Sequence, residues 1–140
     1  MILVVEDGPD DALVVESTFR DTGFCNPIHF VEDGQEAIDY LVGAGDYADR
    51  ERWPLPILVI LDINLPKRDG FEVLWATEQV RVKHGIVFVV LSVSDSAEDN
   101  RHARHLGASR VVRKPIDPVR LLEVVSEVHE FALMLVKRPI

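Results

Sequence analysis

The 140-residue chain has a single cysteine, Cys25. That excludes an internal disulfide and any zinc site built on several thiolates. Positive charge is also short: 15 lysines and arginines stand against 24 aspartates and glutamates, a net charge of −9. Nucleic-acid backbones are gripped by basic faces, so no DNA-binding role is expected. An acidic balance more commonly keeps a protein soluble. No stretch approaches the roughly 20 apolar residues of a membrane span. The opening MILVVEDGPDD is apolar for too short a length, and lacks the basic flank, to read as a secretory signal. A soluble cytoplasmic protein, not held at a membrane, is therefore expected. Repeats and low-complexity tracts are absent, and no glycine-rich phosphate loop follows the first apolar run. What remains is an ordinary globular composition, 47% hydrophobic and 28% charged. Its length suits a single domain over residues 1–140 that buries a core without covalent staples.

Apolar runs alternate with amphipathic segments. Residues 2–5 read as a strand and precede a helix over 9–21, where Ala12, Val15 and Phe19 share a face. Residues 28–31 form a second strand, and Asp33-Gly34 leads into a helix with Ala37, Ile38 and Leu41 inward. The run 57–61 predicts a third strand. One helix from about 70 to 83 follows it, with Val73, Leu74, Thr77 and Val80 at helical spacing. The continuous run 86–91 predicts a strand buried on both faces. A more polar helix over roughly 96–106 stops at Gly107, and residues 110–112 form a short strand. Asp117-Pro118 caps and starts the last helix. Five βα units in succession mean an α/β fold, a parallel sheet with helices on both faces. Residues 43–56, GAGDYADRERWPLP, break the rhythm. Charged and rich in Gly and Pro, they read as an exposed loop before the third strand.

In an open parallel sheet, ligands lie beyond the carboxyl ends of the strands, near the point where strand order reverses. At those ends stand Glu6 and Asp7, Asp62 and Asn64, Ser92, and Lys114 with Pro115. Singly, each has a plain structural reading: Asp7 a helix cap, Asp62 a strand end, Ser92 a turn residue, Lys114 a solvated charge. The plain reading has to hold four times at matching positions, and there it loses. Three carboxylates within a few ångströms raise one another's pKa. A hard divalent cation such as magnesium, which takes oxygen ligands, removes that conflict. Acids, metal, lysine and hydroxyl together suit a phosphoryl group, whose equatorial oxygens share charge during transfer. Asp62, on the central strand, is the carboxylate best placed to act as a nucleophile.

The acid pair of VVEDGPDD, the segment LDINLPKRDG, the hydroxyl of VLSVS and the lysine of RKP occur in this order and on these elements. They resemble the receiver domain of two-component response regulators, and the resemblance covers nearly the whole chain. It implies a doubly wound, flavodoxin-like, five-stranded parallel sheet of strand order 2-1-3-4-5. It implies that Asp62 accepts a phosphoryl group from the phosphohistidine of a sensor histidine kinase. Glu6, Asp7, Asp62 and the main-chain carbonyl of Asn64 would bind Mg2+, with Ser92 and Lys114 on the phosphoryl oxygens. A cis peptide before Pro115 belongs to the same pattern. The long loop before the third strand, with no DNA-binding domain, further resembles single-domain regulators paired with phytochrome kinases. Activity is then expected only on the chain's own aspartate, with no separate metabolite as substrate. An aspartyl-phosphate phosphatase of the dehalogenase type would want a second acid two residues after the nucleophile, where this chain has Asn64. A pseudo-receiver scaffold would have lost the chemistry, against which the intact acids and lysine argue.

Two features depart from the family pattern. Receivers often carry Tyr or Phe three residues before the lysine. This chain has Val111, preceded by Arg110, so an aromatic switch is not expected. The last helix and tail, about 117–140, carry more apolar surface than one sheet covers. Leu121, Val125, Val128, Ala132 and Leu135 form one stripe, widened by Leu122, Val124, Phe131 and Met134. That excess predicts an isologous homodimer through the last strand and helix, unless the tail folds back over its own stripe.

Overall fold

The structure, a computed structural model, describes residues 1–93 and 96–125. Its strands are β1 (Ile2–Val5), β2 (Ile28–Val31), β3 (Leu58–Asp62), β4 (Val87–Ser92) and β5 (Arg110–Arg113). All pair in parallel, in the order β2-β1-β3-β4-β5. The helices are α1 (Pro9–Asp21), α2 (Gly34–Val42), α3 (Gly70–Ala76), α4 (Glu78–His84), α5 (Ala97–His105) and α6 (Pro118–Val125).

The pleat sorts alternate residues to opposite faces. Leu3, Val5, Val59, Leu61, Phe88 and Val90 turn to one side, where Ala37 and Leu41 of α2, Val73 and Leu74 of α3, and Ala103 of α5 cover them. Ile2, Val4, Leu58, Ile60, Val89 and Leu91 turn to the other, under Val15 and Phe19 of α1 and Leu121 and Val124 of α6. Both faces are filled, which is why β3 and β4 read as unbroken apolar runs. The chain moves from β1 outward to β2, then crosses to the other side of β1 for β3. The reversal of strand order therefore falls between β1 and β3.

Three expectations need correction. The single helix over 70–83 is two, because Thr77 leaves helical geometry at φ −109° and ψ 13°. Its hydroxyl donates to the Val73 carbonyl at 2.6 Å, a back-bond that bends helices without unwinding them. The loop over 43–56 is not simply exposed. A 3-10 turn (Gly45–Ala48) folds it against α2, and Tyr47 and Trp53 join His29 and Tyr40 in a cluster of rings. Arg50 donates to the carbonyls of Tyr40 and Leu41, at 2.8 and 2.9 Å, so it closes the C-terminal end of α2. Finally, Val124 does not belong with the exposed apolar residues of α6: it is buried with Leu121, while Val119 and Leu122 face outward. The remaining stripe residues beyond Val125 lie outside the described residues.

Candidate functional site

β1 and β3 are neighbours with Val5 opposite Leu61, so Glu6 and Asp62 leave adjacent strands at one level. Ser92, the last residue of β4, stands one step beyond the pairing of Asp62 with Leu91. The amide of Lys114 donates to the Ser92 carbonyl at 2.9 Å, which brings the end of β5 to the same rim. The Lys114–Pro115 peptide is cis. Glu6 and Asp62 are each only 4% exposed, so neither is a solvated surface acid.

Asp62 is not a helix cap. That task falls to Asp69, which accepts from the Glu72 amide at 2.9 Å and starts α3. The loop between them is packed tightly on both sides. A Cβ at Gly70 would lie 2.7 Å from the Asp62 carbonyl oxygen, and one at Gly34 would lie 1.7 Å from that of Arg68. Only glycine allows these approaches. Asp33, the N-cap of α2, also pairs with Lys67 of this loop at 3.3 Å.

The electrostatics centre on Lys114. Its side chain is 12% exposed, and its ammonium donates to Glu6 Oε2 at 2.7 Å, Asp62 Oδ2 at 2.9 Å and Asp11 Oδ2 at 3.2 Å. Burial alone would lower its pKa, but hydrogen bonds and charge from Glu6 and Asp62 outweigh that and raise it above the ordinary lysine value. Glu6 is pushed up by burial; Lys114 and the Gly8 amide pull it down, and the charge of Asp62 pushes it further up. The second oxygen of Glu6 accepts from Gly8 N–H at 3.1 Å, and that of Asp62 from Asn64 N–H at 3.0 Å. Each buried carboxylate thus has one main-chain partner and one shared cation.

Of the sequence candidates, Glu6, Asp7, Asp62, Ser92 and Lys114 come together. Asp7 is exposed, and the helix-cap alternative for it falls away: the N-cap of α1 is Gly8, with Pro9 opening the helix. One oxygen from each of Glu6, Asp7 and Asp62 lies within 4.8 Å of the others. An octahedral ion with oxygens at about 2.1 Å spans about 4.2 Å between opposite ligands, so small rotations suffice for the three acids to share one. Asn64 lies on the loop beside them, its amide turned to Asp62. Val111 sits half-buried against the core, in place of a ring. Asp11 had no assigned role in the sequence. Its only signal there is its place in the first turn of α1, four residues after Asp7.

Comparison with known proteins agrees with this geometry. Residues 2–126 match the response regulator receiver domain. The probable methanogenesis regulatory protein FilR2 of Methanothrix harundinacea is 35% identical over 136 residues, 95% of this chain and 83% of that protein. Response regulator Rcp1 of Synechocystis sp. is 31% identical over 99% of this chain and 92% of its own. The Mn(2+)-bound form of Rcp1 superposes with a TM-score of 0.73, covering 99% and 98% of the two chains at 31% identity. The phosphorylated cyanobacterial phytochrome response regulator RcpA superposes with a TM-score of 0.73 at 32% identity, over 89% of this chain and 86% of RcpA.

Proposed function

The chain belongs to the response regulator receiver family, and from that premise we propose that it is a phosphoacceptor whose Asp62 takes a phosphoryl group from a histidine kinase. The observation that carries this reading is the Lys114 ammonium, which hydrogen-bonds both Asp62 and Glu6 from the end of a third strand. A carboxylate oxygen of Asp62 attacks phosphorus in line. The bond from phosphorus to the donor nitrogen breaks, and its electron pair leaves with the imidazole. Lys114 turns one N–H to the transferred oxygens, and the Ser92 hydroxyl offers a second donor. Glu6, Asp7, Asp62 and the Asn64 carbonyl would hold magnesium, which supplies positive charge against those oxygens. The Mn(2+)-bound form of Rcp1 supports that choice of ligand class.

Intact mass decides the central claim. Acetyl phosphate with magnesium should add one phosphoryl mass to the wild type and none to Asp62→Asn. Equal labelling of the variant would move the acceptor elsewhere. Turnover of a small phosphomonoester would instead favour the dehalogenase-type reading, since the proposed activity is confined to the chain's own aspartate.

The relatives' names as phytochrome response regulators support a phytochrome-type kinase as the donor. The proposed setting is the cytoplasm, with output through protein contact and not through DNA; among the described residues no helix is long and apolar enough to cross a membrane. A homodimer through the last strand and helix is proposed as well, supported by Val119 and Leu122 on α6, which are 67% and 51% exposed. Light scattering tests it: Leu122→Glu should give monomers that still phosphorylate, whereas a wild type already monomeric at high concentration would defeat the dimer.

A further inference from the structure

An ammonium has three N–H donors, and all three of Lys114 go to carboxylates: Glu6, Asp62 and Asp11. The three acceptors are not equivalent. Glu6 and Asp62 are buried and are each fixed by a main-chain amide as well. Asp11 approaches from the solvent side, with a side chain 57% exposed, and at 3.2 Å makes the longest of the three contacts. It is in the first turn of α1, while Lys114 follows β5, so this contact joins two elements far apart in the chain.

Transfer to Asp62 requires that Lys114 turn a donor toward the phosphoryl oxygens. Glu6 and Asp62 belong to the same reacting cluster and remain beside that group whatever happens. Asp11 does not. It holds one N–H away from the incoming group, on the outer side. Resting on the phosphoacceptor reading above, we propose that Asp11 is a positioning residue that competes with the phosphoryl group for the Lys114 ammonium. By holding that ammonium outward, it slows phosphorylation of Asp62 and hastens loss of the phosphoryl group. An exposed ion pair is worth up to about 1 kcal/mol, so the expected effect is about two- to fivefold.

Asp10 supplies the control. It shares the first turn of α1 and the same exposure and charge, but the three donors of Lys114 are already taken by other residues. The rate of labelling by acetyl phosphate at saturating magnesium, and the lifetime of the labelled protein, should be measured for wild type, Asp11→Asn, Asp10→Asn and Asp11→Glu. Asp11→Asn should label about two- to fivefold faster and hold the group correspondingly longer. Asp10→Asn should match the wild type, and Asp11→Glu, which restores the charge, should return toward it. A contact that only supports the fold would slow labelling and lower the thermal midpoint when removed, and would not produce a gain. Unchanged or slower labelling in Asp11→Asn overturns the proposal. So does an equal gain in Asp10→Asn, which would make the effect one of net charge alone. A wild type that takes no label is a different failure, that of the phosphoacceptor reading itself.

Discussion

The two ends of α2 border regions built on opposite logic. At its N-terminal end, Gly34 and Asp33 meet the loop that follows Asp62, and like charges are gathered around one lysine. At its C-terminal end, Arg50 binds neutral carbonyls while His29, Tyr40, Tyr47 and Trp53 pack ring against ring. In the first region every carboxylate costs free energy that its partners only offset. In the second, apolar area and hydrogen bonds add to stability, opposed by ordering and by the buried His29 Nε2, which has no hydrogen-bond partner among the described residues. One helix, about 13 Å long by its nine residues, separates chemistry from reinforcement.

That contrast predicts a split between activity and stability. Lys114→Ala removes the charge proposed to face the transferred oxygens, and labelling by acetyl phosphate should fall about 100-fold, the scale of losing one such donor. The same variant leaves Glu6 and Asp62 facing each other, so its thermal midpoint should drop in EDTA and recover when magnesium is added. A midpoint indifferent to magnesium would break the contrast. Trp53→Ala should do the reverse, costing about 2 kcal/mol in urea unfolding, less than a fully buried ring because Trp53 is half-buried. Its labelling rate should stay within twofold of wild type.

A smaller effect sharpens the picture of the ring cluster. Tyr40 is 1% exposed and its hydroxyl donates to the Pro54 carbonyl at 2.8 Å, tying the loop over 43–56 to α2. Tyr40→Phe should cost about 1 kcal/mol by the same unfolding assay. The smallest effect is one of pH. Burial lowers the pKa of His29 below its ordinary 6.5, against a weaker upward pull from Glu36. Its Nε2 is buried without a hydrogen-bond partner among the described residues. Between the folded value and about 6.5 the unfolded chain binds a proton that the folded chain refuses, so stability falls as pH drops through that window. Above 6.5 both states are neutral and the dependence vanishes. His29→Phe should flatten the slope below 6.5, which is at most about 1.4 kcal/mol per pH unit for one proton. An unaltered slope would assign it to another group.

The rim was readable in the sequence because it violates local expectation. An acid closing the run 57–61 cannot be core, and the same anomaly recurs after β1, with a lysine after β5 completing the set. The parallel order of strands was legible for a related reason, since both-face burial leaves runs such as 86–91 without alternation. What escaped notice depends on partners distant in sequence. Tyr47 and Trp53 look like loop residues until His29 on β2 is placed beneath them. Thr77 keeps the apolar spacing of its neighbours, so periodicity runs straight through the bend that its hydroxyl produces. Val124 and Leu122 are two positions apart on a strongly apolar helix, and only the direction of the sheet decides which is buried. Asp11 is one acid among several until Lys114 is seen to reach it.

The bridging lysine also bears on how the protein is made. A chain that needed a metal to reconcile Glu6 with Asp62 would finish folding only where that metal was plentiful, as small zinc domains do. Here the neutralising charge arrives with the last strand, since Lys114 follows β5 and reaches back to residues more than 50 and 100 positions earlier, at separations of 52 and 108. The two acids therefore find their counterion as soon as the sheet is complete. The chain is therefore expected to fold without added metal, which a cooperative thermal transition of the wild type in EDTA would check.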